Sequence, residues 1–151
     1  MYYDIYFNTE IENEEKLEAY TRERIERFLP ETGIDGSFSL TYVDDEEIHQ
    51  LNKEYRDIDS PTDILTFAIT DGEEFPVFPG EEKEYGDVFI SIEAMKRNAD
   101  EFGVTYAEEL ERLILHGLLH LSGMDHATND FKTEPMLILQ ERILAEGKAR
   151  K

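Results

Sequence analysis

Cysteine is absent from the 151 residues. That excludes a disulfide framework, a Cys-based zinc finger, an iron–sulfur cluster and a cysteine nucleophile. Positive charge is scarce as well. Fifteen Lys and Arg stand against 36 Asp and Glu, a formal net charge of −21. Nonspecific nucleic-acid binding rests on Lys and Arg neutralising phosphates, so a broad basic groove is excluded. No stretch approaches the ~20 apolar residues of a membrane span. The N-terminus has no basic start and no apolar run of about 7–15 residues, so it does not read as a signal peptide. There is no internal repeat, low-complexity tract or linker. These features predict one domain over residues 1–151, cytoplasmic, without a membrane partner. A chain of this length buries about 68–70% of its unfolded surface and needs no disulfide to hold together.

The pattern of apolar residues predicts an α+β fold: a mixed four-stranded sheet packed with four or five helices. Residues 2–7 are aromatic and β-branched, a strand. Leu17, Tyr20, Ile25, Phe28 and Leu29 recur at near-helical spacing over 12–29, and Pro30, Thr32, Gly33 and Gly36 break that helix. Residues 37–43 alternate polar and apolar, a half-buried strand. Asp44 and Glu47 form a capping-box pattern for a helix over 45–54. A third strand is expected at 62–69, a surface loop at 70–85 and a fourth strand at 86–91. Helices follow at 92–102, ended by Gly103, and from Thr105 to about 121, with Gly123 at a left-handed C′ position. A last helix covers 133–146, with Pro135 in its first turn. Strands and helices alternate, but not as regular parallel βαβ units.

Three of the four histidines lie within eleven residues: His116-Gly-Leu-Leu-His120-Leu-Ser-Gly-Met-Asp-His126. Residues four apart share a helix face about 5–6 Å apart, so His116 and His120 can reach one metal ion. Gly123 then turns the chain, and His126 can return as a third ligand. Three neutral imidazoles with an open fourth position describe a catalytic zinc site, where bound water is acidified toward a pKa of ~7. A structural site would need a fourth protein ligand, for which Asp125 is the candidate. The spacing resembles the H-E-x-x-H of zinc proteases, in particular the metzincin form. Gly117 stands where those enzymes carry their glutamate base, so the peptidase mechanism loses its main support.

The same segment resembles the H-G-x-L-H-L-x-G-[YM]-D-H motif of the YbeY family of bacterial endoribonucleases. Asn52-Lys-Glu-Tyr-Arg56-Asp-Ile-Asp59-Ser-Pro61-Thr62-Asp63-Ile-Leu65-Thr-Phe67 is similar to that family's N-x-x-Y-R-x-x-D-x-P-T-D-V-L-S-F block. Gly86-Asp87-Val-Phe-Ile90-Ser resembles its G-D-I-x-I-[SC] strand. The blocks occur in the family's order, from about residue 40 to 140. The resemblance implies a metal-dependent endoribonuclease selective for single strands, with rRNA rather than DNA as substrate. The resemblance also implies a role in maturation of the small-subunit rRNA 3′ end and in ribosome quality control. The implied partners are ribosomal particles or ribosome-associated proteins, and the implied cofactor is one Zn2+ on His116, His120 and His126. Arg56 matches an arginine the family treats as functional, and the implied fold is a mixed four-stranded sheet around a metal cleft.

Phosphodiester cleavage needs a nucleophile and relief of negative charge on the phosphorane. A metal at His116 serves both. A guanidinium binds two phosphate oxygens at once and keeps its charge, which makes Arg56 the candidate for substrate binding and catalysis. The plainer reading of Arg56 is a surface ion pair with Asp57 or Asp59. Asp125 is either a carboxylate orienting an imidazole or a turn residue. Thr62, Asp63 and Asp87 are candidates to line the cleft, His49 reads as an exposed helix residue, and Tyr55, Phe67 and Phe89 either stack on bases or fill a core. A non-catalytic ribosome-associated zinc protein is the further alternative.

Overall fold

The period-2 alternation in 37–43 does form a strand, and a mixed sheet is built around it. The computed structural model describes residues 3–69 and 83–149. These contain β1 (Tyr3–Phe7), α1 (Glu14–Thr32), β2 (Ser37–Val43), α2 (Asp45–Arg56), β3 (Ile64–Ala68), β4 (Glu84–Ser91), α3 (Ile92–Phe102), α4 (Tyr106–Leu121) and α5 (Pro135–Ala149). The sheet order is β1-β2-β4-β3, with β3 antiparallel to β4 and the other pairs parallel. The α+β class and the four strands are as expected. Of the loop predicted over 70–85, residues 70–82 lie outside the described residues, and Glu84 and Tyr85 already belong to β4. Tyr2 of the first predicted strand also lies outside them.

Two expectations differ from the structure. β1, α1 and β2 do form a regular parallel unit; the irregularity comes at β3, which returns antiparallel along β4 as the sheet edge. Pro30 does not end α1, which continues to Thr32. Pro30 gives up the bond to the carbonyl four residues back and crowds it, but its fixed φ is helical and only two residues of α1 follow it. The true stop is Gly33, at φ 73, whose N–H bonds to the Leu29 carbonyl. The other helix signals act as read. Thr105 and Glu108 form a reciprocal capping box, and the Asp44 carboxylate accepts from the Glu47 N–H.

The two sheet faces are covered unequally. Ile48 and Leu51 of α2 pack on Val43, Leu65, Phe67 and Phe89. The opposite face, through Leu40, Tyr42, Val88 and Ile90, packs on residues of α1, α3, α4 and α5. α4 is apolar on nearly every side, with Leu113, Ile114, Leu115, Leu118, Leu119 and Leu121 all buried, which makes it the central helix. Its Glu111 is buried and held by Arg24 and Arg27 of α1, at 3.2 and 3.5 Å. Two of the three arginines on α1 are thus committed inside the fold rather than offered to a ligand.

Gly117 lets α4 approach the sheet. A Cβ there would lie 2.9 Å from Val88 Cγ1 and 3.2 Å from Ile64 Cδ1. Alanine is favoured over glycine in a helix by roughly 1 kcal/mol, but overpacking a filled core costs about 1–3 kcal/mol. Gly117→Ala is therefore expected to destabilise by about 1 kcal/mol, lowering Tm by about 2–4 °C in a thermal melt. A rise in Tm would show that helix propensity outweighs the close approach.

Candidate metal centre

α4 ends in a Schellman motif that places the third histidine. The Met124 N–H bonds to the Leu119 carbonyl and the Gly123 N–H to the His120 carbonyl. Gly123 takes φ 106, a conformation that L side chains rarely adopt. The turn reverses the chain so that His126 faces His116 and His120. The three imidazoles come together, with one nitrogen from each lying within 4.8 Å of the others.

In each ring Nδ1 lies on an oxygen. Nδ1 of His120 lies 3.1 Å from the Met124 carbonyl, and Nδ1 of His126 lies 2.8 Å from the Thr128 carbonyl. A carbonyl only accepts, so both Nδ1 atoms carry the proton. Nδ1 of His116 lies 2.7 Å from Oε1 of Gln140, a side chain buried on α5. In the neutral tautomer that these contacts select, the lone pair is on Nε2, and Nε2 of His116 and His120 are 3.1 Å apart. Two nitrogens about 2.0–2.1 Å from one tetrahedral zinc would be roughly 3.4 Å apart. The donor set fits a dication. Burial lowers His116 to about 4, and the neighbouring histidines add to that, so it is neutral and able to ligate at physiological pH.

The centre opens on a cleft of about 250 Å³ lined by Arg56, Ile64, Leu65, Thr66, His116, His120 and Asp125. β3 is the sheet edge, so α2 on one face and α4 on the other can meet beyond it. Arg56, the last residue of α2, reaches across and donates to the Thr66 carbonyl at 2.6 Å, with its guanidinium 5.1 Å from the Phe67 ring centroid. Among the described residues no carboxylate pairs with Arg56; Asp59 pairs instead with His49, at 2.8 Å. His49 is thus hydrogen-bonded to Asp59 and does not line the cleft. Asp125 is 3.9 Å from Nδ1 of His120, too far for a hydrogen bond, and accepts from the His126 N–H as a turn residue does. Asp63 is turned toward Asn98, at 3.0 Å, and Asp87 toward Ser39 in a separate concavity. Thr62, Asp63 and Asp87 do not line the cleft.

A family model described as endoribonuclease YbeY matches residues 4–148. The chain belongs to that family. Relatives carrying the same description include one from Treponema denticola, 46% identical over 131 residues and 83% of each chain. Another, from Persephonella marina, is 36% identical over 92% of this chain and 89% of its own. The solution structure of TM1509 from Thermotoga maritima has a TM-score of 0.63 and 28% identity, covering 99% of this chain and 92% of that one. The three sequence blocks that resemble the YbeY family supply α2 with β3, β4, and the end of α4 with its turn. Two of them, the first and the last, meet at the cleft.

Gln140 is the residue that sequence reasoning missed. Gln140→Leu leaves a buried Nδ1–H without an acceptor and is expected to lower zinc affinity about 10–100-fold in a chelator competition. Gln140→Glu, which keeps an acceptor, should stay near the parent; equal affinities for all three would remove the residue's role. His116 also has a pH signature. Its folded pKa lies below its unfolded value, so its contribution to metal-free stability is complete above pH ~6.5 and is lost as pH falls toward 4. In urea melts of metal-free protein, His116→Asn should flatten the stability slope across that window; an unchanged slope would contradict it.

Proposed function

We propose that this protein is a zinc-dependent endoribonuclease that cleaves single-stranded RNA. Its reaction belongs to maturation of the small-subunit rRNA 3′ end and to ribosome quality control in the cytoplasm. Family membership supports the endoribonuclease reading. The observation that carries the site is the trio of imidazoles with Nδ1 committed and one nitrogen from each within 4.8 Å of the others, two of them lining a small cleft with Arg56. His116, His120 and His126 would hold one Zn2+, and the whole chain 1–151 would act as one catalytic domain.

A bound dication supplies Lewis acidity and a lowered water pKa. The chain's own residues supply the rest. Thr66 fixes one Nη of Arg56, and the remaining guanidinium N–H groups are available to two phosphate oxygens. Stacking over Phe67 limits the rotamers of Arg56 and pre-organises it for the transition-state charge. The cleft takes one phosphodiester, which fits a single strand better than a duplex. The peptidase alternative loses ground here, because a side chain at position 117 would be directed into Val88 and Ile64. No base can serve from there.

The net charge of −21 argues for weak affinity toward naked RNA and for delivery by a ribosomal particle or ribosome-associated protein. Tight binding of bare RNA at physiological salt would contradict that part. The reaction is tested on protein purified with its native metal. His116→Ala should lose both metal and RNA cleavage. Arg56→Ala should keep the metal and lose about 10²–10³ in kcat, and casein should stay intact. Equal residual cleavage in the two variants would identify a contaminating nuclease and sink the assignment.

A further inference from the structure

We propose that Tyr55 is a stacking platform for the base of the nucleotide adjoining the phosphate held by Arg56. This rests on the endoribonuclease reading and names a contact that would make it selective for unpaired strands. Tyr55 is 62% exposed, among the most exposed large apolar side chains described, yet its ring is firmly seated. It meets Phe67 edge-on at 5.5 Å and 72°. Phe67 meets Phe89 in the same way at 5.8 Å and 75°, in the small core beneath α2. The Arg56 guanidinium lies over the same Phe67 ring, so a single aromatic side chain supports both the phosphate ligand and the exposed phenol.

The backbone beneath Tyr55 is fixed as well. α2 stops at Asp57, in the left-handed conformation at φ 59, and the N–H groups of Asp57 and Ile58 both bond to the Asn52 carbonyl. Buried Asn52 in turn donates to the Ser60 carbonyl at 2.9 Å. An aromatic face presented on a rigid helix end loses little entropy when a base settles on it. Within a duplex, base faces are covered by their neighbours; in a single strand they are open, and stacking on an aromatic is tolerant of sequence. The position follows from Phe67. Arg56 lines the cleft with His116 and His120 and lies over the Phe67 ring, and Tyr55, which is not itself part of the cleft lining, packs edge-on against the same ring. A strand whose phosphate reaches Arg56 brings its next base toward the Tyr55 ring.

The chain contains no tryptophan, so Tyr55→Trp introduces a single indole as a reporter. In zinc-loaded protein its emission should be quenched saturably by a single-stranded 2′-O-methyl oligoribonucleotide. An abasic oligomer with the same backbone should leave it unquenched. In cleavage assays Tyr55→Ala and Tyr55→Leu should raise KM about 5–150-fold, the equivalent of one lost base–aromatic stack. kcat should change less than KM, zinc content should stay at one per chain, and Tyr55→Phe should retain the parent KM. The proposal is overturned if Tyr55→Leu matches the parent, which would make the ring a cover for Phe67. It is equally overturned if the oligoribonucleotide binds, by fluorescence anisotropy, without quenching the indole. If the parent protein neither binds nor cleaves RNA, the endoribonuclease reading itself fails, and the stacking site with it.

Discussion

Three hydrogen bonds from imidazole Nδ1 atoms decide what the cleft can do, and each ends on an oxygen supplied by a different part of the chain. One oxygen belongs to the Gln140 side chain on α5, one to the backbone of the turn closing α4, and one to Thr128 beyond it. Without them each ring could rotate or change tautomer, and the three lone pairs would have no reason to converge. With them the rings present Nε2 inward before any ion arrives. That pre-organisation explains why the turn at Gly123 and the docking of α5 matter as much as the histidines themselves.

The rest of the fold sets these bonds in place. α4 can carry two of the histidines to the sheet edge only because Gly117 lets it lie against Val88 and Ile64. The antiparallel return of β3 makes that strand an edge, and the edge is where α2 can hand Arg56 to the other face. The acidic surface fits this arrangement. Arg24 and Arg27 are committed to Glu111, Arg97 to Asp45, and Arg112 to Glu141. Among the described residues that line the cleft, Arg56 is the cation, and one guanidinium opposite a metal held by the histidines would suffice for a single phosphate without a basic groove.

Much of this was legible in the residues because it depends on local periodicity. The H-x3-H spacing, the glycine that turns the chain and the third histidine can be read from eleven consecutive positions, and Thr105 with Glu108 announces the start of α4. What was not legible depends on distance or on backbone. Gln140 is 24 positions from His116, and a glutamine in a helix carries no mark of its partner. The Met124 and Thr128 acceptors are main-chain carbonyls, which every residue owns. Pro30 carries the mark of a helix stop, yet α1 runs two residues past it, because the stop is set by the left-handed backbone turn at Gly33. Asp125 and Asp63 sit beside the right residues in sequence but turn to other partners in space.

The central claim is that the three Nε2 atoms hold one catalytic metal with a position left open. The most direct measurement is anomalous diffraction from crystals of the zinc-loaded protein. The account predicts one ion about 2.0–2.1 Å from Nε2 of His116, His120 and His126, with an exchangeable solvent ligand in the fourth position facing Arg56. An ion bound through Nδ1, or a fourth bond from the Asp125 carboxylate closing the site, would contradict it.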